Sequence, residues 1–331
     1  MAELKNVCVC VDAEGGDNAP SVVVEGVEKA LVADPNLSIL LVGREESIAG
    51  IAAKHPERIE AIYASEVIEM GDHPANAVRQ KKDSSIVVGC KAVKEGRADG
   101  FFSAGSTGAC LTAATLIIGR IKGIMRPALA TVVPSPIKEI ILLDCGANAD
   151  CKPEYLVQFA QMGRAYGECF LGMENPTIGL LSNGSEETKG NQATIAAHEL
   201  LSGVEGFIGN VEGGDILKAT CDVVVTDGFT GNVALKTIEG SASVLFGAIK
   251  GIMTSSLGNK LAAAKLKGGL YELKAQIDPD TYGGAPLLGV RAVCHIGHGS
   301  SSPKAIANGI ATCAKAIRAG LTEKIAGLLG E

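Results

Sequence analysis

The stretch Val7-Cys-Val-Cys-Val-Asp-Ala-Glu-Gly-Gly-Asp17 is a short apolar run that breaks into a turn of small and acidic residues. The same succession recurs along the chain. Runs at 100–102, 140–143, 178–181, 223–226 and 293–296 precede Ser103-Ala-Gly-Ser-Thr-Gly108, Asp144-Cys-Gly-Ala-Asn148, Ser182-Asn-Gly-Ser-Glu-Glu-Thr-Lys-Gly-Asn191, Asp227-Gly-Phe-Thr-Gly-Asn232 and His298-Gly-Ser-Ser301. Runs of this length and β-branched content, bounded by turn residues, predict buried strands. In an open α/β sheet, loops at the carboxyl ends of parallel strands gather into one crevice, where ligands bind. The expectation is a single crevice of backbone amides and hydroxyls that grips an anion.

Between the runs lie helical patterns. Helices are predicted at 19–33, 44–54, 84–96, 106–118, 153–170, 189–202, 214–219, 303–318 and 321–329, and further strands at 37–43, 59–63 and 206–210. Strands at 128–133 and 139–144 are separated by Pro134-Ser-Pro136, too short for a crossover helix, so this pair is predicted antiparallel. A strand is predicted at 290–296. The alternation implies a mostly parallel three-layer α/β/α fold.

The rhythm breaks after Asn232. Two helices, joined near Ser255-Ser-Leu-Gly258, fill 233–277, and a hairpin protrusion is expected at 244–277. Leu266, Leu270, Leu273 and Ile277 are spaced four, three and four apart. From Lys250 to Lys274 there are five lysines (Lys250, Lys260, Lys265, Lys267, Lys274) and one acid, Glu272.

Composition narrows the classes. Of 331 residues 47% are hydrophobic and 4% aromatic, with no Trp, so a core of Val, Ile, Leu and Ala is expected, as in parallel sheets. The length allows two domains, but α/β proteins often run this long as one unit, and residues 1–331 are read as a single domain. A formal charge of −7 argues against nucleic-acid binding. The chain passes from Met1-Ala-Glu-Leu-Lys5 straight into a strand, without a signal-peptide pattern. No run nears the roughly 18 apolar residues of a membrane span, and a cytoplasmic location is expected. Ten cysteines without a Cys-x-x-Cys pair read as reduced. Cys8, Cys10, Cys90, Cys145, Cys169, Cys221, Cys294 and Cys313 lie in apolar runs, where Cys acts as a small hydrophobe.

Several turns carry candidate chemistry. Ser106 and Thr107 fall at a helix start, where amides and the dipole favour anions; ordinary N-capping is the alternative. Lys189 is placed at the start of its helix, unfavourable against the dipole unless an anion is bound; a solvent-facing lysine is the alternative. Asp227 and Asn232 either orient a substrate or cap their turn. His298 is the one histidine in a Gly/Ser-rich strand-end loop. His295 and His298 lack neighbouring ligands, so no metal is expected. There is no Gly-x-Gly-x-x-Gly after the first strand, no P-loop and no Gly-x-Ser-x-Gly elbow.

Taken together, the turns resemble the bacterial phosphate acyltransferases, the PlsX family. The likeness also takes in Arg79-Gln-Lys-Lys-Asp-Ser-Ser85, Val93-Lys-Glu-Gly96, Arg126-Pro-Ala-Leu-Ala130, Lys189-Gly-Asn191, Asp227-Gly-Phe-Thr-Gly-Asn-Val-Ala-Leu-Lys236 and Tyr282-Gly-Gly-Ala-Pro286. Three positions depart from the family pattern: Glu14 stands where Met is usual, Ser106 where Asn is usual, and Pro303 precedes Lys304 where another residue is usual.

The resemblance implies an isocitrate- and isopropylmalate-dehydrogenase-like fold, a homodimer and loose membrane association. It implies attack of inorganic phosphate on the thioester of a long-chain acyl group on acyl carrier protein, with no cofactor. A glycerol-3-phosphate acyltransferase would then consume the acyl phosphate. Such chemistry needs mainly positioning and oxyanion stabilisation. Ser103, Gly105, Ser106, Thr107, Lys189 and Asn232 are the expected phosphate and oxyanion contacts. Asp12, Asp17, Asn148 and Asp227 would position the loops, and His298 would protonate the thiolate. Lys260, Lys265 and Lys267 suit an acidic carrier or anionic lipid, unless the hairpin is dimer core. The rivals are a short-chain phosphotransacylase using acyl-CoA, a decarboxylating dehydrogenase, and a carrier-binding scaffold without activity.

Overall fold

The computed structural model describes residues 5–135, 137–276 and 279–328. Residues 1–4, Pro136, Ile277 and Leu329 lie outside them, as do the side chains of Leu270, Glu272 and Lys274. The first half contains β1 (Val7–Asp12), α1 (Ser21–Ala33), β2 (Leu37–Gly43), α2 (Glu45–Lys54), β3 (Ile59–Tyr63), α3 (Pro74–Gln80), α4 (Ser85–Lys94), β4 (Gly100–Ser103) and α5 (Thr107–Ala113). Next come β5 (Ala128–Val133), β6 (Ile140–Leu143), α6 (Pro153–Tyr166), β7 (Ile178–Leu181), α7 (Gln192–Leu201), β8 (Phe207–Val211), α8 (Gly213–Lys218) and β9 (Val223–Val225). The chain closes with α9 (Gly228–Thr254), α10 (Leu257–Gln276), β10 (Ala285–Leu288), β11 (Val293–Ile296), α11 (Pro303–Arg318) and α12 (Leu321–Leu328).

Among the described residues eleven strands form one sheet in the order β3-β2-β1-β4-β11-β10-β5-β6-β9-β7-β8. The predicted antiparallel pair is present, with Ala130 opposite Leu143 and Val133 opposite Ile140. Alternation along strands sends side chains to both faces. On one face Val7, Val9, Val11, Ile141 and Leu143 join a core with α1, α6, α7, α11 and α12. On the other, Cys10, Leu40 and Val42 pack with α4 and α5, and Ile140, Leu142 and Val224 pack with Ile216 of α8 and Leu235 of α9. These are the three layers.

Two elements went unread in the sequence. The sequence predicts no element between 63 and 84, and helix α3 lies there; Pro74 at its first turn, where the missing N–H costs little, is the start signal. Strand β10 is separate from β11 because Gly289, at φ +90°, turns the chain back on itself. Both pair antiparallel, Leu287 opposite Cys294.

Helices α1 and α11 brace the loops that precede them. A Cβ at Gly26 would lie 2.4 Å from Ile306 Cγ2, so the helices approach as closely as glycine allows. Filling that contact with Ala would cost about 1–3 kcal/mol by overpacking. The ladder holding them is β1–β4–β11, with Phe102 opposite both Val11 and His295.

Helix α9 begins against the sheet but continues outward, and α10 packs back along it. Val244, Leu245, Ile252, Leu257, Leu261, Leu266 and Leu273 are exposed, so Leu266 and Leu273 of the apolar stripe read in the sequence are not buried within this chain, while the Leu270 side chain and Ile277 lie outside the described residues. Lys260, Lys265 and Lys267 are exposed beside it. Among the described residues no helix is long and apolar enough to cross a membrane.

Candidate active site

Two buried aspartates each organise a cluster of strand-end loops. The first is Asp12, 1% exposed at the end of β1. Its Oδ1 accepts from the Glu14 amide at 3.0 Å and its Oδ2 from Ser103 Oγ at 2.7 Å. Ser103 Oγ in turn accepts from the Gly105 amide at 3.0 Å. The serine hydroxyl and that amide are thus committed to holding the turn. Burial pushes the Asp12 carboxyl above its usual range, against the pull of hydrogen bonds from Ser85, Ser103 and Glu14. Gly15 fits here for want of a side chain: a Cβ would lie 2.6 Å from the Gly105 nitrogen.

The His298 loop joins this corner, since the Asp17 amide donates to the Gly299 carbonyl at 2.8 Å. His298 is exposed, with Nδ1 2.8 Å from Ser300 Oγ and 3.3 Å from the Ser300 amide. An Nδ1 that accepts from an amide leaves the neutral ring's proton on Nε2. The side chain of Ser106 makes no capping bond to α5, and Thr107 beside it is exposed. The departure at Glu14 is resolved by its direction: the carboxylate turns away and binds Arg44 at 2.8 Å and 3.1 Å, and the Arg44 amide at 2.9 Å. Burial raises its pKa, but the Arg44 and Ser47 hydrogen bonds and the Arg44 charge outweigh that and hold it below the usual carboxylate range.

The second organiser, Asp144, was not singled out from the sequence, although it heads a quoted turn. It is 0% exposed. Its Oδ1 accepts from the amides of Leu129, Gly146 and Ala147, and its Oδ2 from the amide and side chain of Asn148. Burial pushes its carboxyl upward, with the Ala147, Asn148 and Leu129 donors pulling back. Asn148 also donates to the Pro127 carbonyl at 2.8 Å, and its own carbonyl accepts from the Gly228 amide at 2.7 Å. A Cβ at Gly231 would lie 1.9 Å from the Asp144 carbonyl, so the start of α9 is pressed onto this loop. Asn232 is exposed there, its Nδ2 3.3 Å from the Cys145 carbonyl. Asp227 is the helix cap: Thr230 donates to it through both amide and hydroxyl at 2.8 Å.

Lys189 belongs to this second corner, in the loop after β7. The structure corrects its expected place. The cap of α7 is Asn191, which accepts from the Thr194 amide at 2.9 Å, so Lys189 lies outside the helix. It is exposed, and its ammonium has no hydrogen bond or ion pair among the described residues, even with Glu186 and Glu187 in the same loop. The dipole argument for a bound anion therefore lapses, while an available cation remains.

A single crevice does not form from these loops. Strands β6, β9, β7 and β8 are parallel to one another, but three antiparallel steps (β11–β10, β10–β5, β5–β6) reverse them relative to β1, β4 and β11. The Asp12 and Asp144 corners thus leave the sheet at opposite ends of their strands. Between β4 and β6 there are four strand steps, roughly 19 Å at about 4.8 Å per step. One phosphate ion does not bridge that gap within a chain. Asp12, Asp17, Ser103, Gly105, Ser106, Thr107 and His298 share the first corner; Asn148, Lys189, Asp227 and Asn232 share the second.

The fold is shared with phosphotransacylases of known structure. A phosphotransacetylase from Streptococcus pyogenes superposes with TM-score 0.61 at 20% identity, covering 95% of each chain. A branched-chain phosphotransacylase from Enterococcus faecalis V583 gives 0.58 at 13%, covering 94% of this chain and 99% of its own. At such identity the likeness shows the fold alone.

Sequence kinship goes further. The family described as fatty acid synthesis protein matches residues 7–324. A phosphate acyltransferase from Desulfitobacterium hafniense (strain Y51) is 49% identical over 321 residues, 96% of each chain. One from Bacillus licheniformis is 50% identical over 304 residues, 91% of this chain and 92% of its own, and one from Bacillus subtilis (strain 168) is 46% identical over 326 residues, 98% and 97%. The chain belongs to this fatty acid synthesis protein family and, within it, to the phosphate acyltransferases.

Proposed function

We propose that the protein transfers a long-chain fatty acyl group from the thioester of acyl carrier protein to inorganic phosphate, giving acyl phosphate and the free carrier thiol. The observation that carries this reading is the near full-length kinship with phosphate acyltransferases at 46–50% identity. The chemistry suits the loops. Phosphate is already an oxyanion nucleophile near neutral pH and thiolate a fair leaving group, so donors fixed in place supply most of what is needed.

The phosphate is proposed to bind at the Asp144 corner, where the Lys189 ammonium is exposed and has no hydrogen bond or ion pair among the described residues. Arg44, a cation beside the first corner, is held by Glu14. Lys189 and Asn232 are proposed to contact phosphate and the tetrahedral oxyanion, with Asn148 and Asp227 fixing the loops around them. At the Asp12 corner Ser106, Thr107 and His298 are proposed to hold the acyl-carrier substrate away from its thioester. Protonation of the thiolate by His298 would need the two corners to face one another, and the strand order of one chain keeps them apart.

A homodimer through the exposed apolar faces of α9 and α10, contact of Lys260, Lys265 and Lys267 with carrier or anionic membrane, and consumption of the product by a glycerol-3-phosphate acyltransferase belong to the same proposal. The deciding experiment measures carrier thiol released from palmitoyl carrier protein with and without phosphate. Phosphate-dependent release faster than from acetyl-CoA supports the reading. Binding of carrier without release would leave a scaffold instead.

A further inference from the structure

The loop that carries Lys189 is tied down by two buried polar side chains that have no part in the proposed chemistry. They lie on β8, the edge strand, and on α7. The register of β8 against β7 slips by one residue: Ile178 is opposite Phe207, but Leu180 is opposite Asn210. Gly209, in the slipped segment, has φ +104°, a conformation side chains resist. An extra residue in a strand turns every following side chain to the other face. Without the bulge, position 209 would stand opposite Leu180, and Asn210 would point away from where it does.

Asn210 is 9% exposed and His198 8%. The Nδ2 of Asn210 donates to the Glu186 carbonyl at 2.8 Å, and its Oδ1 lies 2.9 Å from His198 Nδ1. With the amide oriented by the carbonyl, its oxygen is the acceptor and His198 Nδ1 carries a proton. The imidazole is itself fixed edge-on to Phe207, with ring centroids 5.3 Å apart at 75°. The Glu186 carbonyl also accepts from the amide of Lys189 at 3.0 Å. One oxygen therefore joins the strut to the backbone of the lysine.

We infer that Asn210, oriented by His198, is a positioning residue for the transfer: it sets the backbone from which Lys189 reaches the phosphate. The inference rests on the proposed role of Lys189. Asn210→Asp keeps the shape and the acceptor toward His198 but sets an oxygen against the Glu186 carbonyl.

The test is a double-mutant cycle on the full chain, read as kcat/KM for inorganic phosphate with palmitoyl carrier protein. Asn210→Asp should lower it about tenfold, with the carrier KM unchanged, but by less than about twofold when Lys189 is already Ala, because coupled residues are not additive. His198→Phe should show the same loss, and His198→Gln, which retains a donor, should recover most of it. That pair keeps the test available if Asn210→Asp folds poorly. Equal losses in both backgrounds, or wild-type phosphate kinetics in Asn210→Asp and His198→Phe while Lys189→Ala is impaired, overturn the inference and leave the site standing. Wild-type kinetics in Lys189→Ala itself overturn both.

Discussion

The two corners begin from similar sequence and end with different chemistry. Each follows a buried strand, each is rich in glycine, and each is organised by an aspartate with almost no exposed surface, Asp12 at 1% and Asp144 at 0%. Asp12 engages the hydroxyl of Ser103, which engages the Gly105 amide, so two candidate ligand donors are consumed in building the turn. Asp144 engages five N–H groups of its own and the neighbouring strand, and leaves Asn232 and Lys189 turned outward. A turn of small polar residues becomes a ligand site through the donors left over after the buried carboxylate is satisfied. Counting donors in the sequence does not distinguish the two.

That difference is most sharply broken at Asp144. Asp144→Ala removes the acceptor for five N–H groups at once, and each unsatisfied buried donor costs about 1–3 kcal/mol. Phosphate-dependent turnover is expected to fall about 100-fold, as misplaced reacting groups do, with a lower urea midpoint. Turnover near wild type in the folded fraction would move the reacting centre elsewhere. Lys189→Ala should follow with a loss of about tenfold or more in kcat/KM for phosphate and a nearly unchanged melting temperature, since its exposed ammonium makes no hydrogen bond or ion pair among the described residues. The double substitution Ser106→Ala, Thr107→Ala tests the other corner. It should raise the KM for acyl carrier protein about threefold to tenfold, as two lost hydrogen bonds of about 0.5 kcal/mol each would, and leave the phosphate KM alone. A rise in the phosphate KM instead would exchange the assignments of the two corners.

Much of this was legible before any coordinates. The β-branched runs marked the strands, the proline-spaced pair was antiparallel, and most cysteines in apolar runs are buried, Cys10, Cys90 and Cys313 among them. The strand order was not legible, because pairing between strands far apart in the chain is set by tertiary packing. β10, four residues long, escaped notice between two glycine-rich turns. With it went the reversal of β6, β7 and β9, and hence the division of the site. The misplacement of Lys189 has a local cause: Lys189-Gly-Asn191 contains a strong capping residue, and the helix starts after it, not before. The Glu186 carbonyl and its strut were hidden for another reason. A bulge is a mismatch between two strands, and a single sequence read by period-two alternation does not contain it.

The smallest expected effect concerns what lies beneath the first corner. His295, on β11 three residues before His298, is 1% exposed, stacks on Phe102 at 6.2 Å and has Nε2 3.2 Å from the Tyr282 carbonyl. Burial lowers its pKa to about 4, only partly offset by that carbonyl. The unfolded chain takes up the proton near pH 6.5, whereas the folded chain resists until about pH 4. Between those values the unfolded state binds more protons, so stability rises with pH. The contribution is intact above pH 6.5 and is lost as pH falls through the window, by on the order of 3 kcal/mol at its end. Asp12 and Asp144, whose carboxyls are raised, work in the opposite sense at the acid end, so the wild-type curve alone mixes the signs. The difference between wild type and His295→Gln isolates the histidine. Denaturant midpoints of the two should run parallel above pH 7, and the wild type should then fall more steeply toward pH 4. Parallel curves throughout would mean that the imidazole accepts its proton in place, and that the first corner stands on a softer support than its packing suggests.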